Sequence, residues 1–154
     1  MKKTLIITLI LTLICCSALC VPASAVETTK TETTIQYLEN GDYIKTTITY
    51  FETNSRAATK SGSKTSEYYN NDGDTMWSVT VYGTFTYNGT TSSCTSVSRS
   101  ASAYDSSWSI KSSSCSKSGN CASATATATQ KLLIGSKDFT KTVNLYCSPY
   151  GILS

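Results

Sequence analysis

Two tetrads, Ser61-Gly62-Ser63-Lys64 and Ser114-Cys115-Ser116-Lys117, have the S-x-x-K spacing in which a lysine amine can take the proton of a serine nucleophile. Lys60-Ser61-Gly62 and Lys117-Ser118-Gly119 loosely match the K-T-G element that accompanies such serines in penicillin-recognising enzymes. In a chain this rich in Ser and Lys both matches are expected by chance, and the length leaves no room for the helical domain those enzymes need. There is no histidine. That removes Ser-His-Asp and Cys-His catalysis and the usual zinc and copper sites. Asn70, Asp72 and Asp74 place three oxygen side chains at alternate positions like part of a calcium loop, yet the downstream bidentate glutamate is missing, so a hairpin turn about Gly73 is expected. Asp72 and Asp74 read as a solvated turn before a catalytic carboxylate pair. No catalytic residue, no cofactor and no metal site is expected, and the protein is expected not to be an enzyme.

The sulfur chemistry divides at residue 25. Met1-Lys2-Lys3, the apolar run Leu5 to Leu19 and the small-residue site Ala23-Ser24-Ala25 form a secretory signal peptide, with cleavage after Ala25. A spanning helix needs about 20 apolar residues, and the mature form is expected to keep no stable membrane anchor. Acylation of Cys20 is the alternative, disfavoured by Leu19 before it. Cys15, Cys16 and Cys20 leave with the leader, so Cys94, Cys115, Cys121 and Cys147 remain. Four cysteines in a small exported chain predict two disulfides.

The mature chain, Val26 to Ser154, fits one domain with one modest core. Without Lys2 and Lys3 the net charge falls from +3 to +1, which excludes a strong electrostatic pull toward nucleic acid. Residues 26–89 are mildly acidic and 90–154 mildly basic, but Lys111, Lys117, Lys131, Lys137 and Lys141 are spread out as on solvated strand faces. The mature chain has 23 Ser and 23 Thr and no helical apolar spacing. Such a composition suits half-buried sheet surfaces.

Residues 26–34 (VETTKTETT) read as a flexible tail, and 35–61 as a hairpin about Asn40-Gly41-Asp42 followed by a polar linker whose polar run extends to Thr65. A β domain then occupies 62–154. Met76 to Tyr87 alternates, with Trp77, Val79, Val81, Phe85 and Tyr87 on one face and Ser and Thr on the other. Turn residues at 71–74, 88–89, 105–106, 118–120 and 135–136 delimit strands near 66–70, 75–87, 91–104, 107–115, 121–132 and 137–147. The expected fold is all-β, an antiparallel meander forming a small disulfide-stapled β-sandwich or barrel.

Opposing Cys115 and Cys121 across a five-residue loop places Ile110 opposite Ala126 and Trp108 opposite Ala128, with every large apolar residue of the hairpin inward. This predicts a Cys115–Cys121 bridge on the outer face and, by elimination, Cys94–Cys147. After Asn88-Gly89 a two-residue turn would put Cys94 on the Trp77 face but turn Val97, Ala101 and Ala103 away, so a bulge or a longer loop is needed. The row Ala122, Ala124, Ala126 and Ala128 leaves a shallow face for Trp77, Phe85 or Tyr87 to fill. Tyr68, Tyr69, Tyr82 and Tyr104 are the candidates for an exposed binding platform.

The succession Gly62-Ser63-Lys64-Thr65, Asn71-Asp72-Gly73, Trp77 to Val81, Gly83 to Gly89, Cys94-Thr95-Ser96, Tyr104 to Trp108, Lys117 to Asn120 and Cys147-Ser148-Pro149 resembles an uncharacterised family of small secreted proteins of low-GC Gram-positive bacteria. The resemblance implies an extracellular location. It includes Cys94 and Cys147 but not Cys115 and Cys121, and it carries no catalytic or ligand-binding residue. The expected function is a non-catalytic extracellular binding or interaction module for a protein, peptide or glycan, with no nucleic-acid partner. A secreted toxin or membrane-active, bacteriocin-like β protein is the alternative.

Overall fold

The computed structural model describes residues 28–52 and 59–154. The expected leader and its cleavage site lie outside the described residues. Eight strands follow one another: β1 (Thr28–Tyr37), β2 (Tyr43–Glu52), β3 (Thr59–Tyr69), β4 (Thr75–Tyr87), β5 (Ser92–Ala103), β6 (Trp108–Ser118), β7 (Cys121–Lys131) and β8 (Ser136–Tyr146). They form two antiparallel meanders, a five-stranded sheet β1-β2-β3-β4-β5 and a three-stranded sheet β6-β7-β8. The smaller sheet packs across β3, β4 and β5 and does not reach β1 or β2, although Tyr50 of β2 is buried in the core. Among the described residues no hydrogen-bonded ladder joins the two sheets into a closed barrel.

The strands begin earlier than hydrophobic alternation predicts. The expected tail belongs to β1, which pairs with β2 from Thr28↔Glu52 to Tyr37↔Tyr43, and residues 59–65 of the expected linker belong to β3. Threonine favours pleated surfaces without needing burial, so polar strands form where a neighbour supplies the ladder. Hydroxyl pairs then stitch the outer face: Ser61 with Thr84 at 3.0 Å and Thr65 with Thr80 at 2.9 Å. Exposed Lys30 and Glu32 suit an edge strand, where charged side chains discourage pairing with another chain. These positions also dispose of the S-x-x-K tetrads. Residues three apart on a strand face opposite sides, so Ser61 and Lys64, like Ser114 and Lys117, point away from one another.

The core lies between the sheets. Trp77, Val79, Val81 and Phe85 of β4 face the alanine row of β7, with Val143 and Leu145 of β8 beside it. The shallow alanine face is therefore filled from the larger sheet. At Gly83 an added Cβ would lie 2.6 Å from Phe85 Cε2 and 3.0 Å from Ala122 Cβ. Gly83→Ala is accordingly expected to lower stability by about 1–3 kcal/mol. The measurement is a fall in the urea midpoint at constant m-value, and an unchanged midpoint would mean that the sheets separate there without cost.

Three bulges interrupt the ladders of the described strands: one in β3–β4, where Met76 is extra between Tyr68↔Trp77 and Tyr69↔Thr75, and two that set the registers of β4–β5 and β6–β7. The β4–β5 ladder steps from Thr84↔Ser96 to Phe85↔Cys94, which leaves Thr95 extra. Cys94 and Val97, Ala101 and Ala103 thereby share the inner face, as the sequence required. In the β6–β7 hairpin the strands run on to Ser118↔Cys121 about a two-residue turn, with Gly119 at φ +55, and Lys111 is bulged. Ile110 lies opposite Ala128 and Trp108 opposite Gln130, so both face inward as expected but two places along. Cys115 pairs with Ala124 instead of Cys121. The two cysteines consequently occupy opposite faces of the small sheet, and the Cys115–Cys121 bridge expected from the sequence is excluded by this register. All four described cysteines are thiols in this structure.

Candidate ligand-binding site

An up-and-down meander returns every second turn to the same end of the molecule. Turns β1–β2, β3–β4, β5–β6 and β7–β8 converge there and border a cleft of about 440 Å³. In the β3–β4 turn Asn70 Oδ1 accepts the backbone N–H groups of Asp72 at 3.1 Å and Asp74 at 2.8 Å. The oxygen that resembled a calcium ligand is thus engaged in shaping the hairpin. Asp105 similarly accepts the backbone N–H of Ser107 at 2.8 Å and its hydroxyl, which together hold the carboxyl below the usual aspartate range.

The floor is aromatic and comes from both sheets. Trp108 of β6 is the hub, its ring centroid 5.5 Å from Tyr68, 5.0 Å from Phe139 and 6.5 Å from Trp77. Tyr68 donates to Asp42 Oδ2, and burial first, then this bond, pushes its phenol up to about 12. The phenol is therefore a fixed donor at any physiological pH. Trp77 and Trp108 are buried, and neither indole Nε1 has a partner. Because the three-stranded sheet covers only part of the five-stranded one, the cleft continues past Tyr68 and Phe139 into an apolar recess of about 240 Å³ that reaches Ile44 and Leu38.

Asp42, Asp74 and Asp105 stand at the rim, with Lys137 as the cation. The Lys137 ammonium lies 4.9 Å from the Phe139 ring centroid, where the ring quadrupole attracts it. Beside it the β7–β8 turn exposes three consecutive aliphatic residues: Leu132 at 45%, Leu133 at 107% and Ile134 at 93%. Large side chains this exposed, in a run, mark an interaction surface more often than a plain solvated turn.

The four tyrosines expected as a platform are not brought together. Tyr68 lies in the cleft, but Tyr69 points to the other face of β3, where it stacks on Tyr43 at 4.7 Å and 3°. Its hydroxyl accepts from Lys45 at 3.3 Å and donates to Glu67 at 3.2 Å. Lys45 also pairs directly with Glu67 at 3.2 Å, and that bond is the main cause holding the Lys45 amine above its ordinary range. Tyr82 is exposed on the outer face of β4, and Tyr104 reaches Ser78 Oγ at 3.0 Å. Consecutive strand residues alternate faces, so Tyr68 and Tyr69 were bound to separate. Trp108, Phe139 and the rim carboxylates carry the site instead. The sequence signal for them is the recurrence of acidic residues in the first, third and fifth turns of a meander.

At the opposite end Cys94 and Cys147 flank the β6–β7 turn. Their backbone N–H groups donate to the carbonyls of its two successive residues, Gly119 at 2.7 Å and Asn120 at 3.0 Å. Both are buried, and burial is the main cause that pushes both thiols up. Cys115 lies near Arg99, whose Nη1 is 3.9 Å from its sulfur.

Comparison with protein-family models, with curated proteins and with solved structures found no match to this chain.

Proposed function

We propose that this protein is a secreted, non-catalytic binding module, a small two-layer β-sandwich that engages an extracellular partner through the end where four turns converge. The observation that carries this reading is the pairing of a cleft bordered by four turns, with Tyr68, Trp108 and Phe139 in its lining, with the exposed Leu133 and Ile134 in one of those turns. Burying a Leu or Ile side chain stabilises a complex by about 1.5–3 kcal/mol, so the turn has a large unused potential for association. The extracellular location rests on the leader sequence and on the resemblance to secreted proteins. We also propose that the exported form is stapled by Cys94–Cys147. The common end of the fold and the burial of both residues support that bridge.

One observation favours the membrane-active alternative: Leu132 to Ile134 lie between Lys131 and Lys137, a cationic frame for an apolar tip. Against it, Glu39, Asp72, Asp74 and Asp105 occupy the neighbouring turns and would oppose approach to an anionic bilayer. The double variant Leu133→Ser/Ile134→Ser distinguishes the two. A binding module should leave vesicles of anionic or zwitterionic lipid intact in a calcein-release assay, and the variant should lose at least tenfold in affinity for ligands selected from peptide and glycan arrays. Calcein release by the wild type that disappears in the variant would instead establish the membrane-active reading.

A further inference from the structure

Resting on the binding-module reading, we propose that the open edge of β8 takes an extended segment of a partner protein, paired as a further strand of the small sheet and turning an acidic side chain toward Lys64 and Lys141. The small sheet ends at β8, and beside it lies the inner face of β2 that three strands do not reach. Two hollows follow that edge. One, of about 390 Å³, has Thr46, Lys64, Lys141 and Val143 in its lining, and the other is the apolar recess of about 240 Å³ at Ile44, Tyr68 and Phe139. They adjoin, since Ser66 and Lys141 line both.

The edge already accepts a strand. Tyr146 exchanges both backbone hydrogen bonds with Ser154, at 2.9 and 3.1 Å, and Cys147 bridges Leu153 in the antiparallel sense. Alternate residues of an antiparallel strand turn both backbone groups the same way, so Asn144, Thr142, Thr140 and Asp138 present theirs outward as Tyr146 does. The hydroxyl contacts Thr125 to Thr142 and Thr127 to Thr140, both 2.8 Å, agree with this, because side chains lie closest at pairs that exchange no backbone bond. From Asp138 to Asn144 these outward groups have no backbone partner among the described residues. A main chain is the ligand that matches such a row of donors and acceptors, and side-chain pockets beside the row give it specificity.

Charge selects the occupant. Lys64 and Lys141 are half-buried and make no ion pair among the described residues, and no carboxylate lines either hollow. Glu32, in the same cross-strand row as Lys64, is engaged by the Tyr50 hydroxyl at 3.1 Å. An inward lysine on an edge strand deters indiscriminate pairing, while a carboxylate on the incoming strand turns that charge into a partner.

The test is isothermal titration of the mature protein with the heptapeptide acetyl-Thr-Glu-Thr-Val-Thr-Leu-Thr-amide. Run antiparallel to β8, it turns Glu to the lysines and Leu to the recess, because alternate side chains share a face. It should bind, and the peptide with Lys in place of Glu should bind about tenfold or more weakly. Lys64→Gln combined with Lys141→Gln should weaken the acidic peptide roughly fivefold or more and leave the basic one no weaker. N-methylation of the third and fifth residues should abolish binding, whereas N-methylation of the valine should cost little, since its N–H points away from β8. A folding defect cannot produce that alternation, because the protein is the same in both titrations.

Equal loss from both methylations would overturn strand pairing. Equal binding of the Glu and Lys peptides, or indifference to the lysine variants, would overturn the acidic partner. A dimer of the mature protein that the heptapeptide dissociates, followed by sedimentation, would make a second copy the occupant and overturn the separate partner. No binding up to roughly 1 mM, a weak limit for a peptide ligand, would overturn the proposal, and the array result for Leu133→Ser/Ile134→Ser then decides the wider reading independently.

Discussion

Phe85→Ala is expected to destabilise the domain by about 3–5 kcal/mol, the upper range for a core aromatic. The ring is fully buried in the core between the sheets and lies close to Gly83, which has no side chain to fill the vacated space. A domain of this size is stabilised by about 5–15 kcal/mol in total, and the variant should therefore melt roughly 10 °C or more below the wild type. Urea denaturation gives the value directly, and Phe85→Leu should lose much less. A loss under about 1 kcal/mol for the alanine variant would mean that the alanine row is not packed against the ring. Phe139 provides the contrast, since it is only half-buried at the cleft and its replacement should affect binding more than folding.

The second large effect concerns the proposed Cys94–Cys147 bridge. Closing the chain between these positions should contribute about 4 kcal/mol by the loop-entropy relation. Replacing both with Ala, or adding a reductant, should lower the melting temperature by roughly 15 °C. Replacing Cys115 and Cys121 should change it far less, because they face opposite sides of the small sheet and constrain nothing. Non-reduced peptide mapping should find Cys94 joined to Cys147, with Cys115 and Cys121 alkylated as thiols. A Cys94–Cys121 product would sink the assignment. It is the informative competitor, because Cys121 starts the strand that leaves the same turn.

Much of the candidate site could not be read along the chain. Tyr68 was legible as a binding aromatic, but Trp108 reads locally as one more inward residue of a hairpin, and Phe139 stands alone among lysines and threonines. Their meeting depends on the smaller sheet crossing the larger one at the end where Asp42, Asp74 and Asp105 project. Four turns that are about 30 residues apart in sequence become neighbours only through that packing. The apolar recess has the same origin, since it exists because three strands cannot cover five.

Local chemistry settled what depends on one or two residues at a time. The strand period of two assigned Trp77, Val79, Val81 and Phe85 to one face and the four alanines of β7 to another, and Asn, Asp and Gly clusters marked the turns, because side-chain alternation and tolerance of positive φ belong to the chain itself. The polar strands at Thr28–Thr34 and Thr59–Thr65 escaped because a threonine-rich strand is held by its neighbour's ladder and not by its own burial. Register was decided only in three dimensions. A bulge adds one residue without a compositional mark, yet it reverses the face of everything beyond it. The extra Thr95 brought Cys94 and Val97 to the same side, and the bulged Lys111 with the tight Gly119-Asn120 turn kept Trp108 inward while sending Cys115 and Cys121 to opposite faces. Both bulges let apolar residues reach a core built by two sheets, and that energy has no counterpart within either strand alone.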